Sequence, residues 1–112
     1  MKRNASNKKP VRRNKKFTVP AVVQVGGHNI GIFIDAQTDI KLISEQAVGL
    51  YLPVQKAIAI RTDLTEGSRG ETYFHELMEA INDIYELGLK HRTIQTIGAA
   101  LHQARLSEEG GA

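Results

Sequence analysis

The chain has 112 residues, 41% of them hydrophobic and 5% aromatic, and a net charge of +3, which fits a single domain with a mostly aliphatic core. It contains no cysteine, which excludes a disulfide framework, a thiolate metal site and a cysteine nucleophile. No apolar run approaches the ~20 residues that span a bilayer, and the positive N-terminus lacks the apolar stretch of a secretory signal, so we expect a cytoplasmic protein with no membrane partner.

The charge is divided unevenly along the chain. Residues 2–16 carry eight basic residues and no acid, whereas residues 17–112 carry seven basic and twelve acidic residues, a balance of −5. Because the first segment has almost no apolar groups, we predict that residues 1–16 are a disordered basic tail. Eight cations would attract nucleic acid nonspecifically through its phosphates, and a solubilising arm is the alternative interpretation.

Two β-hairpins are predicted after the tail. Residues 18–25 are rich in β-branched side chains, residues 30–34 alternate isoleucine with other residues, and a Gly-Gly-His-Asn turn joins them. A second pair of strands, 49–52 and 56–61, flanks a turn that contains a proline. Between the hairpins, the mixed pattern of residues 36–47 predicts a loop with a short strand or a helical turn.

Two helices are predicted to follow the hairpins. Gly67 and Gly70 indicate a loose loop, after which apolar residues recur every three or four positions from Tyr73 to Leu87. Gly88 is expected to be the left-handed residue that ends this first helix.

The second helix is predicted from His91 to Leu106, and residues 107–112 are expected to be a flexible C-terminus. The fold class is therefore α+β in a single domain, residues 17–106. In this domain two short hairpins form a small antiparallel sheet, and two packed antiparallel helices follow it.

The first predicted helix carries the motif His75-Glu76-Leu77-Met78-Glu79. Residues four apart share a helix face, so His75 and Glu79 can point at a common ion. Glu76 has the place of the general base in the HExxH motif of zinc hydrolases, with Glu79 where that motif has its second histidine. A solvated charged helix face is the simpler interpretation, and Asp83 on the same helix is interpreted as a surface charge.

A catalytic zinc site needs a third protein ligand, and the sequence offers His91, His102 and His28. If the two helices run antiparallel from a turn near Gly88, the helical rise places Glu79 opposite the region of His102. His91 would reach the site only if the first helix ended early or the second crossed it steeply. Geometry alone therefore favours His102 over His91 without settling the choice.

These residues resemble a known family in their order and spacing. Residues 71–81, Glu-Thr-Tyr-Phe-His-Glu-Leu-Met-Glu-Ala-Ile, follow a short sheet, as the motif helix does in small phage and prophage proteins related to SprT-like and ImmA-like zincin metallopeptidases. A subset of that family is matched more closely by His75 to Asn82, by Leu89 to Ile94 and by Leu101-His102-Gln103. The resemblance covers roughly residues 20–106 and leaves out the basic tail.

The resemblance implies a zinc-dependent, metallopeptidase-like protein of minimal zincin-like fold, in the host cytoplasm if it is phage-encoded. The implied zinc ligands are His75, Glu79 and His91, and Glu76 is the implied general base acting on a peptide or protein substrate. We expect an edge strand at residues 56–61 to hold the extended peptide. The alternative is an inactive zincin-like scaffold that binds a host protein, or nucleic acid through the basic tail.

Overall fold

The computed structural model describes residues 17–111, and the predicted basic tail, residues 1–16, lies outside the described residues. The described residues form four strands and three helices. In chain order these are β1 (Val22–Val25), β2 (His28–Phe33), α1 (Ala36–Ser44), β3 (Gly49–Leu52), β4 (Ala57–Ile60), α2 (Glu66–Ile84) and α3 (His91–Gly111). None of the three helices is both long enough and apolar enough to cross a membrane.

The four strands form one sheet in the order β1-β2-β4-β3, and the architecture is α+β, as predicted. Both predicted hairpins are present, β1 with β2 and β3 with β4. The sheet is mixed rather than antiparallel, because β2 and β4 pair in parallel, with Ile32 opposite Ile58. The strand predicted at the edge, residues 56–61, is also misplaced, since β4 is central and β3 forms the edge.

Helix α1 replaces most of the loop predicted at residues 36–47. It begins after Asp35, whose carboxylate accepts a hydrogen bond of 2.7 Å from the backbone N–H of Thr38 and so caps the helix. Leu42 is the one residue of α1 that is fully buried. With a single buried position in nine residues, the helix leaves little hydrophobic periodicity in the sequence, which explains why the pattern was ambiguous.

The core lies between the sheet and α2. Ile30, Ile58 and Ile60 of the two central strands are completely buried, and Tyr73 of α2 packs against them. Burying an aliphatic side chain of this size contributes roughly 1.5–3 kcal/mol relative to leaving it in water. The contact fixes the rotation of α2 relative to the sheet, and therefore the direction in which the polar residues of α2 point.

Helix α2 begins earlier than the sequence predicted. Thr65 caps its N-terminus by accepting a hydrogen bond of 3.2 Å from the backbone N–H of Ser68, so Gly67 and Gly70 lie inside the helix rather than in a loop. Gly70 is buried, and a Cβ atom there would lie 2.7 Å from Nε2 of His102 on α3. This glycine therefore serves a close helix contact and does not break the helix.

Helix α2 also ends earlier than predicted, at Ile84. Glu86 is the left-handed residue after the helix, with φ of +52°, and its N–H donates to the carbonyl of Asp83. The N–H of Leu87 reaches back to the carbonyl of Asn82 at 3.0 Å, which completes a Schellman motif. Gly88, which the sequence predicted for this position, lies two residues further on, and it too has a positive φ.

Helices α2 and α3 pack antiparallel, as predicted, and α3 continues past Leu106 to Gly111. Their backbones approach each other closely at Gly98. A Cβ atom on Gly98 would lie 3.0 Å from Cα of His75 and 3.2 Å from the carbonyl oxygen of Phe74. The position of α3 relative to the motif on α2 therefore depends on this glycine.

We expect Gly98→Val to lower the free energy of unfolding by ~1–3 kcal/mol, because the new side chain would meet the α2 backbone. Gly67→Val is the matched control, since it is also helical and its Cβ position has no atom within 4 Å. Urea denaturation of both variants and the wild type measures the difference. Equal losses in the two variants would contradict the close approach at Gly98.

Candidate metal centre

Three side chains converge where α2 faces the first turn of α3. His75 and Glu79 lie one helical turn apart on α2, and His91 is the first residue of α3. Nε2 of His75 and Nδ1 of His91 lie 3.5 Å and 3.6 Å from Oε2 of Glu79. Each residue has a ligand atom within 4.8 Å of those of the other two, and among the described residues this is the one such group of three.

The distances from the two histidine nitrogens to Glu79 fit the spacing of ligands around a tetrahedral zinc ion. Nitrogen and oxygen ligands stand about 2.0–2.2 Å from zinc, so two of them are roughly 3.3–3.5 Å apart. Both distances to Glu79 are close to this value. The side chain of His91 is 70% exposed, so its ring can turn toward the other two ligands without disturbing the core. Two histidines and one carboxylate are an established set of zinc ligands.

The early end of α2 explains why His91, rather than His102, lies in the cluster. The prediction that favoured His102 assumed a turn near Gly88, whereas the helix ends at Ile84 and residues 85–90 connect it to α3. His102 lies further along α3, where its ring centroid is 5.9 Å from that of Phe74. His28, at the exposed start of β2, is not part of the cluster.

Glu76 lies beside the cluster and is buried, with 8% of its surface exposed. Its Oε2 is 4.0 Å from Nε2 of His75. Burial, and secondarily the negative charge of Glu79, raises the pKa of Glu76 to about 7, against the opposing effect of a hydrogen bond from the backbone N–H of Tyr51. The edge strand β3 thus holds the Glu76 carboxylate next to the three ligands.

Two cavities flank the cluster, and both are lined by His75, Glu76 and His91. One, of about 490 Å³, follows β3 toward Asp83. The other, of about 380 Å³, extends in the opposite direction along α2 to Glu71. Both cavities open on His75, Glu76 and His91. The cluster therefore lies where the two cavities meet, in the middle of an elongated groove between β3 and α3.

Asp83 joins the edge strand to α2 at one end of this groove. Its Oδ2 accepts a hydrogen bond of 2.8 Å from the hydroxyl of Tyr51 and lies 3.8 Å from Nζ of Lys56. Sequence reasoning assigned Asp83 to the surface and did not single out Tyr51. The spacing of Glu79 and Asp83, four residues apart, was the one signal that the two acids share a face.

Comparisons with protein-family models, with curated proteins and with solved structures find no significant match to this chain. The resemblance of residues 71–82 to the zincin motif therefore remains a similarity of short motifs.

The raised pKa of the Tyr51 hydroxyl lets us predict how the free energy of unfolding changes at high pH. Burial, together with the hydrogen bond to Asp83, raises the pKa of Tyr51 to about 12 in the folded protein, against about 10 in the unfolded chain. The stabilisation from the protonated hydroxyl is therefore complete below pH 10 and is lost as the pH rises toward 12.

We expect Tyr51→Phe to be less stable than the wild type at pH 9, by about 1 kcal/mol for the lost hydrogen bond, and to lose less further stability between pH 9 and pH 11.5. Denaturant titrations at the two pH values measure both differences. Tyr85→Phe, at an exposed tyrosine, is the control and should follow the wild type. A parallel decline in Tyr51→Phe and the wild type would contradict the assignment.

Proposed function

We propose that this chain is a small zinc-binding, metallopeptidase-like protein in which His75, Glu79 and His91 hold the ion and Glu76 is the general base. The observation that carries the proposal is the convergence of these three side chains beside a buried carboxylate in an open groove. The motif resemblance to phage and prophage zincins is a second, independent support. The motif resemblance and the absence of cysteine both lead us to propose a cytoplasmic location, in the host cell if the chain is phage-encoded.

Each side chain has a distinct part in the proposed chemistry. A bound zinc ion supplies Lewis acidity, which polarises a carbonyl and lowers the pKa of a water molecule. Helix α2 positions His75 and Glu79, and α3 positions His91, so the three ligands come from two helices that pack on each other. Glu76 is held by the N–H of Tyr51. Its carboxylate would accept a proton from the water molecule that attacks the peptide carbonyl, and would return that proton to the amine that leaves as the C–N bond breaks.

An extended peptide is the substrate class that the groove favours. β3 is the edge of the sheet and lines the larger cavity, with Gly49, Leu50 and Tyr51 facing it. The N–H of Tyr51 already donates to Glu76, so a peptide laid along β3 would use the other outward main-chain groups of the strand, in hydrogen bonds that do not depend on its sequence. The groove therefore suits a polypeptide better than a small compact molecule.

We expect the protein, purified without chelator, to contain about one zinc ion per chain, and His75→Ala and His91→Ala to lose it. Elemental analysis and competition with a chromophoric chelator measure the stoichiometry and the affinity. His102→Ala and His28→Ala are the matched controls, because both histidines lie outside the cluster. A wild type without metal, or a His102→Ala variant as defective as His91→Ala, would refute the proposed site.

We expect Glu76→Gln to keep zinc and to lower the rate of casein or peptide hydrolysis by roughly 10²–10⁴-fold, because the amide cannot accept the proton. Glu71→Gln, at an exposed acid that also lines the groove, is the control and should retain activity. If Glu76→Gln and the wild type cleave equally, the cleavage belongs to a contaminant. That result would favour the alternative of an inactive scaffold that binds a host protein or nucleic acid.

A further inference from the structure

Asn82 is the residue of α2 that contacts the connection to α3 at two points. Its backbone carbonyl accepts a hydrogen bond of 3.0 Å from the N–H of Leu87. Its side-chain oxygen Oδ1 accepts a second, of 2.8 Å, from the N–H of Leu89, in a partly buried position. The side-chain bond thus anchors the backbone two residues before His91.

Backbone hydrogen bonds hold the two ends of the connection, at residues 85–87 to carbonyls of α2 and at Lys90, whose carbonyl accepts from the N–H of Ile94. Between these ends, residues 87–89 have no helix or strand pattern. Glu86 and Gly88 both have positive φ, a conformation that only the surrounding structure maintains in a residue with a side chain. Leu87 is 50% exposed, so its burial contributes little. Among the described residues, the anchor at Leu89 is therefore the hydrogen bond to α2 that lies nearest to the start of α3.

His91 is the ligand that depends most on such an anchor. His75 and Glu79 project from the middle of α2 and are partly buried, whereas the side chain of His91 is 70% exposed. Apart from the ring of His75, whose centroid is 5.1 Å away, little packing restrains this exposed ring, so the backbone of His91 determines which positions Nδ1 can reach. Asn82 also lines the same cavity as Glu79 and His91.

We propose that Asn82 is a positioning residue that sets the third ligand of the candidate metal site through its hydrogen bond to Leu89. The inference rests on the proposed zinc-binding function. Asn82 touches neither the ion nor a substrate in this role. It fixes where α3 starts, and with it the distance from His91 to Glu79.

Metal titration of the full-length chain tests the proposal, with zinc for affinity and Co²⁺ as a spectroscopic probe of the same ligands. We expect Asn82→Ala to bind zinc roughly 10–100-fold more weakly than the wild type, the usual effect of removing a group that orients a ligand. The visible spectrum of its Co²⁺ form should also change, because His91 no longer holds a fixed position. Asn82→Asp keeps an acceptor oxygen at the same place and should bind at least as tightly as the wild type.

Asn29→Ala is the matched control, because the side-chain oxygen of Asn29 also accepts a hydrogen bond, from Gln24 within the β1–β2 hairpin. Thermal melts of the metal-free variants separate a loss of fold from a loss of metal geometry. If Asn82→Ala does not fold, Asn82→Ser replaces it, since a serine hydroxyl is too short to reach Leu89.

Two results would overturn the positioning role while leaving the metal site intact. One is a folded Asn82→Ala or Asn82→Ser variant with wild-type affinity and an unchanged Co²⁺ spectrum. The other is an Asn82→Asp variant weakened as much as Asn82→Ala. A wild type that binds neither metal overturns the proposed function itself, and this inference with it.

Discussion

The contact between the backbones of α2 and α3 is the constraint on which the candidate site depends. Gly98 lets α3 approach the backbone at His75, and Gly70 makes room for His102 further along the same interface. With larger residues at these positions the helix axes would move apart. Nδ1 of His91 would then lie further from Glu79, although neither glycine is itself a member of the cluster. Small residues thus determine the geometry of the polar ones.

The edge strand β3 packs against the same helix, α2, in a similar way, through a glycine. A Cβ atom on Gly49 would overlap the side chain of Thr72 and lie 3.4 Å from Cγ of Glu76. The missing side chain lets β3 lie directly on α2, where Tyr51 donates from its backbone to Glu76 and from its hydroxyl to Asp83. Sheet and helix therefore share one polar seam, which borders the part of the groove that runs toward Asp83.

Local patterns in the sequence predict some of this arrangement and not the rest. The hairpins and the motif on α2 were readable because turn residues, alternation and four-residue spacing are properties of short segments. The parallel pairing of β2 with β4 was not, because it joins segments separated by α1 and β3. Gly70 was misinterpreted because a glycine serves either a helix contact or a turn, and only its partner, here His102, decides which. Gly67 meets no atom within 4 Å and lies in the helix because Thr65 caps the helix before it. Gly88 has the predicted positive φ but comes after the left-handed Glu86 that ends the helix. The choice between His91 and His102 failed on geometry alone because it depended on where α2 ends, and a glutamate in left-handed conformation gives no sequence signal for that end.

The parallel pairing of the two central strands has a consequence for how the chain folds. Each hairpin closes over a few residues and forms on the microsecond scale, but Ile32 and Ile58 are 26 positions apart and meet only after the intervening loop has closed. Because contacts between distant residues slow folding, we expect the joining of the hairpins to limit the rate, with α1 and β3 already carried along as ordered pieces. Substitutions where β2 pairs with β4 should thus slow folding more than they speed unfolding.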